Sequence, residues 1–501
     1  MILQNNSDLF QDQETYLSLL NLSIFQSAFV RKFAIIYLSL FNSPPELIIQ
    51  FVQSLFNPDT EDTISSIQID TCMKLMTDIL KNMEEEAVEY IELCSSLSSK
   101  AFQTSEIDLL ISGAIFRLAF IPFIQDDQDP VYQEYMNSSF QVLYNLLEQK
   151  SDSDQIDELI RSISYFIYNN PDSVDYQSLL EVVNNYILTP DISQTLSEQL
   201  LLLSDNVLKS CQYTIKEQEN QNELILQVLH SYIIYAKKTY DSNNSYDLNN
   251  SLIFSTFFKV FYEDQYINEI YSNISSLFSE ESSGKFVTLL ILDSSFETSS
   301  EFYQSKVNEI INIFQISLTD DDFCVRSTAS SSISNFCQYI QPKVKFDTII
   351  SSLYDCLSAS PSVEFLTALT DIFDITSHSD NYFDHSVHFL FQLFESTGDI
   401  LFRQKIVTCL SSLTKSSQER VCAFFDQIFN AMSQIVLTST TYEQSATLLP
   451  MSLNVLSNMC FTCTTQMISF VPNLLDTSAQ FLSEDYMQSS CIKALTAVCQ
   501  N

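Results

Sequence analysis

The sequence predicts an all-α protein, an α-solenoid built as a right-handed superhelix of about a dozen helix pairs. Three observations predict it. Apolar residues recur at helical spacing almost throughout the chain. One helix pattern returns at intervals of 37–40 residues. The 501 residues include only three glycines and no tryptophan, so glycine-rich turns and tight hairpins have nothing to be made from.

Taken in order, the pattern first appears as Val30-Arg31-x-x-Ala34-x-x-x-Leu38-x-x-Phe41. Apolar residues at these offsets fall on one face of a helix. Ser43-Pro44-Pro45-Glu46 then reads as a helix start: a serine cap, a proline where no N–H is needed, and an acidic residue in the first turn. Ile67 follows 37 residues after Val30, and Ile107, Ile111, Ile115 and Leu118 repeat the stripe without the arginine. Asn170-Pro171-Asp172 and Thr189-Pro190-Asp191 are expected to open further helices. The polar run 241–250 (DSNNSYDLNN) is expected to be a loop. It separates N-terminal repeats over 1–240 from C-terminal repeats over 251–501, unless the two run as one continuous solenoid.

Beyond it, Thr298-Ser299-Ser300-Glu301 has the spacing of a capping box and is expected to open the helix through 305–316. There Val307, Ile310, Ile311 and Phe314 share a face. Val325-Arg326-x-x-Ala329-x-x-x-Ile333-x-x-Phe336 repeats the first pattern with identical spacing. Ser360-Pro361 reads as another helix start, and Phe365, Leu369 and Phe373 supply three of four anchors. Phe402-Arg403-x-x-Ile406-x-x-x-Leu410-x-x-Leu413 lies 77 residues past Val325, two units of 38.5. The uncharged stretch 444–475 contains Pro450 and Pro472 and is expected to form two buried amphipathic helices with a break, not a membrane span. Met487, Cys491, Leu495 and Val498 close the series. Each pair leaves an apolar side that only a neighbour can cover, so such an array grows by stacking.

Composition narrows the function. Gly113, Gly284 and Gly398 stand alone, so no Walker A loop, G-x-G-x-x-G or G-x-S-x-G can be written. Twenty-three basic against sixty-three acidic residues give a net charge of −40. That balance disfavours phosphate backbones and anionic membranes, and opposite potentials favour basic protein partners. The N-terminus shows no secretory pattern, and twelve cysteines are expected to be reduced thiols. Cys460 and Cys463 lack the second pair a zinc site wants and are expected to be buried core. His378, His385 and His388 with Asp380 and Asp384 form the sole histidine cluster and are read as a turn and helix start. Acidic runs at Glu84-Glu85-Glu86 and Asp320-Asp321-Asp322 suit helix starts and, more weakly, contacts to a basic partner.

Leu318-Thr319-Asp320-x4-Val325-Arg326-x2-Ala329 resembles the HEAT-repeat consensus, and 37–40 residues is the length of HEAT and armadillo units. The resemblance implies a structural ladder through Asp320 and Arg326, with Arg31 and Arg403 at the arginine position; Phe25 and Thr397 stand where the matching aspartates would be. The block 305–415, with Ser362-Val363-Glu364-Phe365 and Tyr382-Phe383-Asp384-His385 between its two arginine patterns, resembles the HEAT array of the importin-β (karyopherin-β) superfamily, in particular the importin-5-like branch. That resemblance implies a non-enzymatic nuclear transport receptor, shuttling between cytoplasm and nucleus. It implies basic protein cargo, Ran-GTP and phenylalanine-glycine nucleoporins as partners, with no nucleic acid, membrane insertion, cofactor, metal or catalytic residue. The alternative is a HEAT scaffold organising an enzyme complex, similar to a phosphatase A subunit.

Overall fold

The computed structural model describes residues 13–40, 45–56, 64–80, 85–124, 130–149, 156–189, 192–212, 215, 221–243, 248–261, 264–341, 345–375, 380–439 and 443–500. Among these there is no strand. The helices are, in chain order, α1 (Gln13–Ser23), α2 (Ala28–Leu40), α3 (Pro45–Leu55), α4 (Ser66–Leu80), α5 (Ile91–Phe102), α6 (Ile107–Phe120), α7 (Pro130–Glu148), α8 (Ile156–Asn169), α9 (Tyr176–Ile187) and α10 (Gln194–Ser210). Then come α11 (Gln221–Asn243), α12 (Leu248–Val260), α13 (Asp264–Phe278), α14 (Ser282–Ser295), α15 (Val307–Leu318), α16 (Phe323–Ile340), α17 (Asp347–Ala359) and α18 (Val363–Ile375). The series ends with α19 (Asp380–Ser396), α20 (Ile400–Ser416), α21 (Phe425–Thr438), α22 (Glu443–Thr462), α23 (Val471–Phe481) and α24 (Gln488–Gln500). The chain divides into two compact units between Tyr235 and Ala236, inside α11.

Each unit is a stack of helix pairs. In the first, α2, α4, α6, α8 and α10 form a row in which each helix packs on the next. In the second, the row runs α12, α14, α16, α18, α20, α22, α24. Odd-numbered helices pack outside this row on the even member of their own pair, as α1 does on α2, α5 on α6, α15 on α16 and α21 on α22. Hydrogen bonds between neighbouring even helices span one repeat: Ser112 Oγ donates to Asp70 Oδ1 across 42 residues, and Ser412 Oγ donates to Asp374 Oδ2 across 38.

The recurring stripe explains the stacking. Val325, Ala329, Ile333 and Phe336 are completely buried, as are Ile406, Leu410 and Leu413. Ala34 and Ala329 let the adjoining helix approach closely. Phe296, Tyr303, Phe314 and Phe336 meet edge-on or tilted at centroid distances of 5.2–6.4 Å, closing the core where α14, α15 and α16 converge. Ile107 departs from the stripe: it is 41% exposed because it opens α6 instead of sitting within it.

Several helix starts differ from the sequence expectation, for local reasons. Ser299 precedes a short helix, Ser300–Gln304, and makes no side-chain cap bond; Thr298 Oγ1 instead donates back to Ser295 O. The long helix α15 begins only at Val307. Pro171 opens a 3-10 turn, Pro171–Ser173, and the cap of α9 is Asp175, which accepts from Ser178 N. Likewise Ser193, not Thr189, caps α10 by accepting from Leu196 N. For α9 and α10 a later side chain reaches the free amides and the proline segment becomes a lead-in, whereas α15 starts after Lys306 with no side-chain cap bond. Ser43 and Pro44 lie outside the described residues, and α3 is helical from Pro45. Of the run 241–250, residues 241–243 belong to α11 and 248–250 to α12, while 244–247 lie outside the described residues.

The uncharged stretch forms α22 and α23 with a break at Cys463. Pro450 sits inside α22 and removes a helical donor there; Gln404 of α20 donates to the nearby Thr447 O at 3.0 Å. No helix among the described residues is long and apolar enough to cross a membrane. Cys460 is buried and free, as expected, but Cys463 is joined in a disulfide to Cys422, with their Cα atoms 5.6 Å apart. The break after α22 brings Cys463 back beside the turn that leads into α21, a proximity that a spacing of 41 residues does not announce.

Candidate functional site

The residues singled out by sequence fall in the turns joining the helices of a pair. Arg326 Nη1 donates to Asp320 O at 2.7 Å and Asp321 O at 2.8 Å. Arg31 makes the same bonds to Phe25 O at 2.9 Å and Gln26 O at 2.7 Å. A planar, permanently charged fork is well suited to gathering two carbonyls left over at a helix end. Arg403 is placed differently, stacked 5.1 Å from the Phe394 ring, and Asp399 caps α20.

Asp320 accepts from Lys285 Nζ at 2.5 Å, from Ser282 Oγ at 3.1 Å and from Asp322 N at 3.0 Å. Burial would raise its carboxyl, but the Lys285 bond and its companions outweigh this and hold it below the usual range. Asp322 caps α16 by accepting from Cys324 N and also accepts from Tyr240 OH at 2.5 Å. Asp321 is the exposed member of the three, on the rim of a cleft of about 510 Å³ that Tyr240, Glu281 and Lys285 also line. Glu84 lies outside the described residues, as do the side chains of Glu85 and Glu86 in the 3-10 helix Glu85–Tyr90. His388 Nδ1 lies 2.8 Å from Asp384 O, and the Asp384 carboxylate pairs with Arg420 at 2.9 Å; His378 and the Asp380 side chain lie outside the described residues.

The row of even helices carries a second set of polar groups that the sequence did not single out. In the second unit, Asn335 Nδ2 on α16 donates to Asp293 Oδ1 on α14 at 2.9 Å. Burial pushes the Asp293 carboxyl up to about 6, against the pull of the Asn335 bond. Asp371 on α18 is raised as well, chiefly by burial. Asp374, one turn on, holds Ser412 and Lys415 of α20 at 3.1 and 3.2 Å. Asn458 of α22 donates to Ser411 O at 2.8 Å and Thr414 Oγ1 at 3.1 Å. These groups line up one helix after another, forming a polar seam along α14, α16, α18, α20 and α22. Neither Asp293 nor Asp371 makes an ion pair among the described residues. Burial outweighs the pull of Lys405 on Asp371, so both carboxylates stand to gain from an incoming cation.

The first unit has a groove of about 900 Å³ on its own even row, lined by Lys74 and Asp78 of α4, Ser112 of α6, and Arg161, Tyr165 and Asn169 of α8. Tyr165 is 67% exposed there. Deeper in this unit, Arg117 of α6 is buried between the Phe102 and Tyr135 rings, 3.7 and 4.4 Å from their centroids, and donates to Ser98 and Ser138. It is a structural cross-link from α5 to α7 that the sequence pattern did not mark.

Stacked helix pairs of this length, with polar groups repeated along the inner member of each pair, define a HEAT-type solenoid, an architecture that binds extended protein segments. No protein-family model matches the chain, and no curated protein matches its sequence. Solved structures do match its fold. Kap121p bound to Ste12p is similar with a TM-score of 0.71 at 11% identity, over 98% of this chain and 49% of that one. The karyopherin Kap121p bound to the extreme C-terminus of the protein phosphatase Cdc14p gives 0.70 at 11%, over 97% and 49%. Kap121p bound to Nup53p gives 0.70 at 11%, over 98% and 50%. The chain spans about half the length of these structures.

Proposed function

We propose that this chain is a nuclear transport receptor of the karyopherin-β kind, importin-5-like, and that it binds basic protein segments along the seam of the second unit. The observation that carries the reading is a set of carboxylates on the even row: half-buried Asp293 on α14 and Asp371 on α18, neither in an ion pair among the described residues, with the more exposed Asp374 one turn beyond Asp371. A lysine or arginine laid along the seam would relieve their desolvation, and the amide of Asn335 would fix the backbone of an extended chain between them. The net charge of −40 would steer such a segment toward the protein. The neighbours of this fold supply the kind of function: the karyopherin Kap121p has been solved with protein segments bound. Exposed Asp321 is a secondary contact for a basic partner. Ran-GTP and phenylalanine-glycine nucleoporins complete the proposed partners, with shuttling between cytoplasm and nucleus and no catalytic role.

The test is fluorescence anisotropy with a lysine- and arginine-rich peptide, alongside a Ran-GTP pull-down. The reading expects salt-sensitive peptide binding that weakens about tenfold or more in Asp371→Asn/Asp374→Asn. It also expects Ran-GTP, not Ran-GDP, to be retained. A folded chain that binds neither, yet co-purifies with a catalytic subunit regardless of Ran, would overturn it in favour of a HEAT scaffold.

A further inference from the structure

Helices α20 and α22 pack side by side and are fastened at several points along their length. Near their starts Gln404 donates to Thr447 O at 3.0 Å. Toward their ends Asn458 donates to Ser411 O at 2.8 Å and to Thr414 Oγ1 at 3.1 Å. Past their ends the link is covalent: Cys422, in the 3-10 turn Cys422–Phe424, is joined to Cys463, where the chain breaks out of α22. The connector around Cys422 is itself anchored on α19. Arg420 Nη2 donates to both carboxylate oxygens of Asp384, at 3.0 and 2.9 Å, and the Phe424 ring stands 5.7 Å from Phe383 and 5.5 Å from His388. The disulfide therefore ties the end of α22 to a fixed point on the preceding repeat.

The surroundings suit both oxidation states of this pair. The Cys422 sulfur also lies 3.4 Å from Thr462 O, a carbonyl to which a free thiol there can donate. Other repeats show that arrangement with free cysteines: Cys356 Sγ donates to Leu318 O at 3.2 Å across 38 residues, and Cys211 Sγ to Pro171 O at 3.8 Å across 40. Access is one-sided. Cys422 is half-buried and Cys463 only 3% exposed, so a small thiol or disulfide from solution meets Cys422 first. Cys460, one turn before Cys463, is buried, with its thiol pushed up to about 11, and stays free. The chain carries ten free cysteines beside this one bond; such a count suits a reducing environment, where an isolated disulfide characteristically senses redox state.

We propose that Cys422 and Cys463 form a thiol–disulfide switch worked by a low-molecular-weight disulfide of the glutathione class, and that its oxidation locks the end of α22 to the connector that follows α20. The Cys422 thiolate attacks one sulfur of glutathione disulfide, forming a mixed disulfide and releasing one glutathione thiolate. The Cys463 thiolate then attacks the Cys422 sulfur; the protein disulfide forms and the second glutathione thiolate leaves. The two protons given up by the cysteines end on the two glutathiones, and two electrons have passed from protein to glutathione. Excess glutathione reverses the sequence, starting at Cys422.

The full chain is equilibrated in buffers running from excess reduced to excess oxidised glutathione, quenched with acid, alkylated, and read by peptide mass spectrometry for the Cys422–Cys463 link. Hydrogen exchange is followed in the two end buffers, for the unsubstituted chain and for Cys422→Ser, whose folding is checked by circular dichroism. The linked fraction should rise about fivefold or more across the series and fall back when the buffers are exchanged. Reduction should speed exchange about threefold or more in the last turns of α22 and in 463–470, with α14 and α16 unchanged. Cys422→Ser should exchange at the reduced rate in both buffers; should it not fold, the unsubstituted chain decides alone. A link that never forms, that persists in every buffer, or that joins Cys422 to Cys460 instead overturns the switch. So does exchange at the end of α22 that is indifferent to redox state.

Discussion

On the proposed reading, Asp293 is a residue placed for binding at the expense of stability. Its carboxyl is held near 6, above the ordinary value of 3.8, because burial outweighs the neutral hydrogen bonds it receives from Asn335 and Ser332 of the neighbouring helix. A group with a raised folded pKa stabilises the fold most below its unfolded pKa. That contribution is lost as pH rises from about 4 through 6, where the folded state must ionise a buried acid. The expected penalty at neutral pH is up to about 3 kcal/mol. Asp293→Asn keeps an oxygen for Asn335 and removes the charge. It should raise the melting temperature at pH 7.5, with the gain vanishing below about pH 4, and should weaken binding of a basic peptide. Equal melting temperatures at both pH values would refute this. The turn arginines were legible at this scale: the Val-Arg-x-x-Ala spacing singles out Arg31 and Arg326, and both make the same pair of carbonyl bonds. Asp293 was not legible, because it sits alone among Leu292, Ser294 and Ser295, away from any acidic run.

At the scale of the helix, the sequence carried α16 and α20 well, since their four-point stripes are sunk in the core. Boundaries were less legible, because the first residue able to cap a helix competes with a later one and only the path of the chain decides between them. The Asn170-Pro171-Asp172 start lost that competition for α9 to Asp175, while α15 begins at Val307 with no side-chain cap at all. Gly284, in the first turn of α14, has a purpose that spacing does not reveal. A Cβ there would lie 2.3 Å from Leu277 O and 2.8 Å from Glu280 Cβ, at the end of α13. Gly284→Ala must therefore push the two helices of this pair apart. It should lower stability by about 1–3 kcal/mol in chemical denaturation despite alanine's better helix propensity. A neutral or stabilising effect would mean that the α13–α14 approach is looser than described.

At the scale of the molecule, the periodic burial of apolar stripes made the solenoid readable from sequence, while the polar seam proposed as its binding surface was not. Contiguous runs such as Asp320-Asp321-Asp322 attract attention, yet two of those three carboxylates are consumed in holding a turn. The seam is instead assembled from single residues contributed once per repeat. Its faint signal lies in register: Asn335 and Ser412 each stand ten residues beyond the first anchor of their stripe, Val325 and Phe402, and Asp374 occupies the neighbouring position between them. Aligning repeats against one another, rather than searching for charge runs, is what brings such residues together. The central claim is that the even row of the second unit receives a basic protein segment. Hydrogen exchange with and without a saturating basic peptide tests it most directly. The account predicts slowed exchange in α14, α16 and α18, with α1–α10 unchanged. Protection confined to the first unit, or none in a complex shown to form, would contradict it.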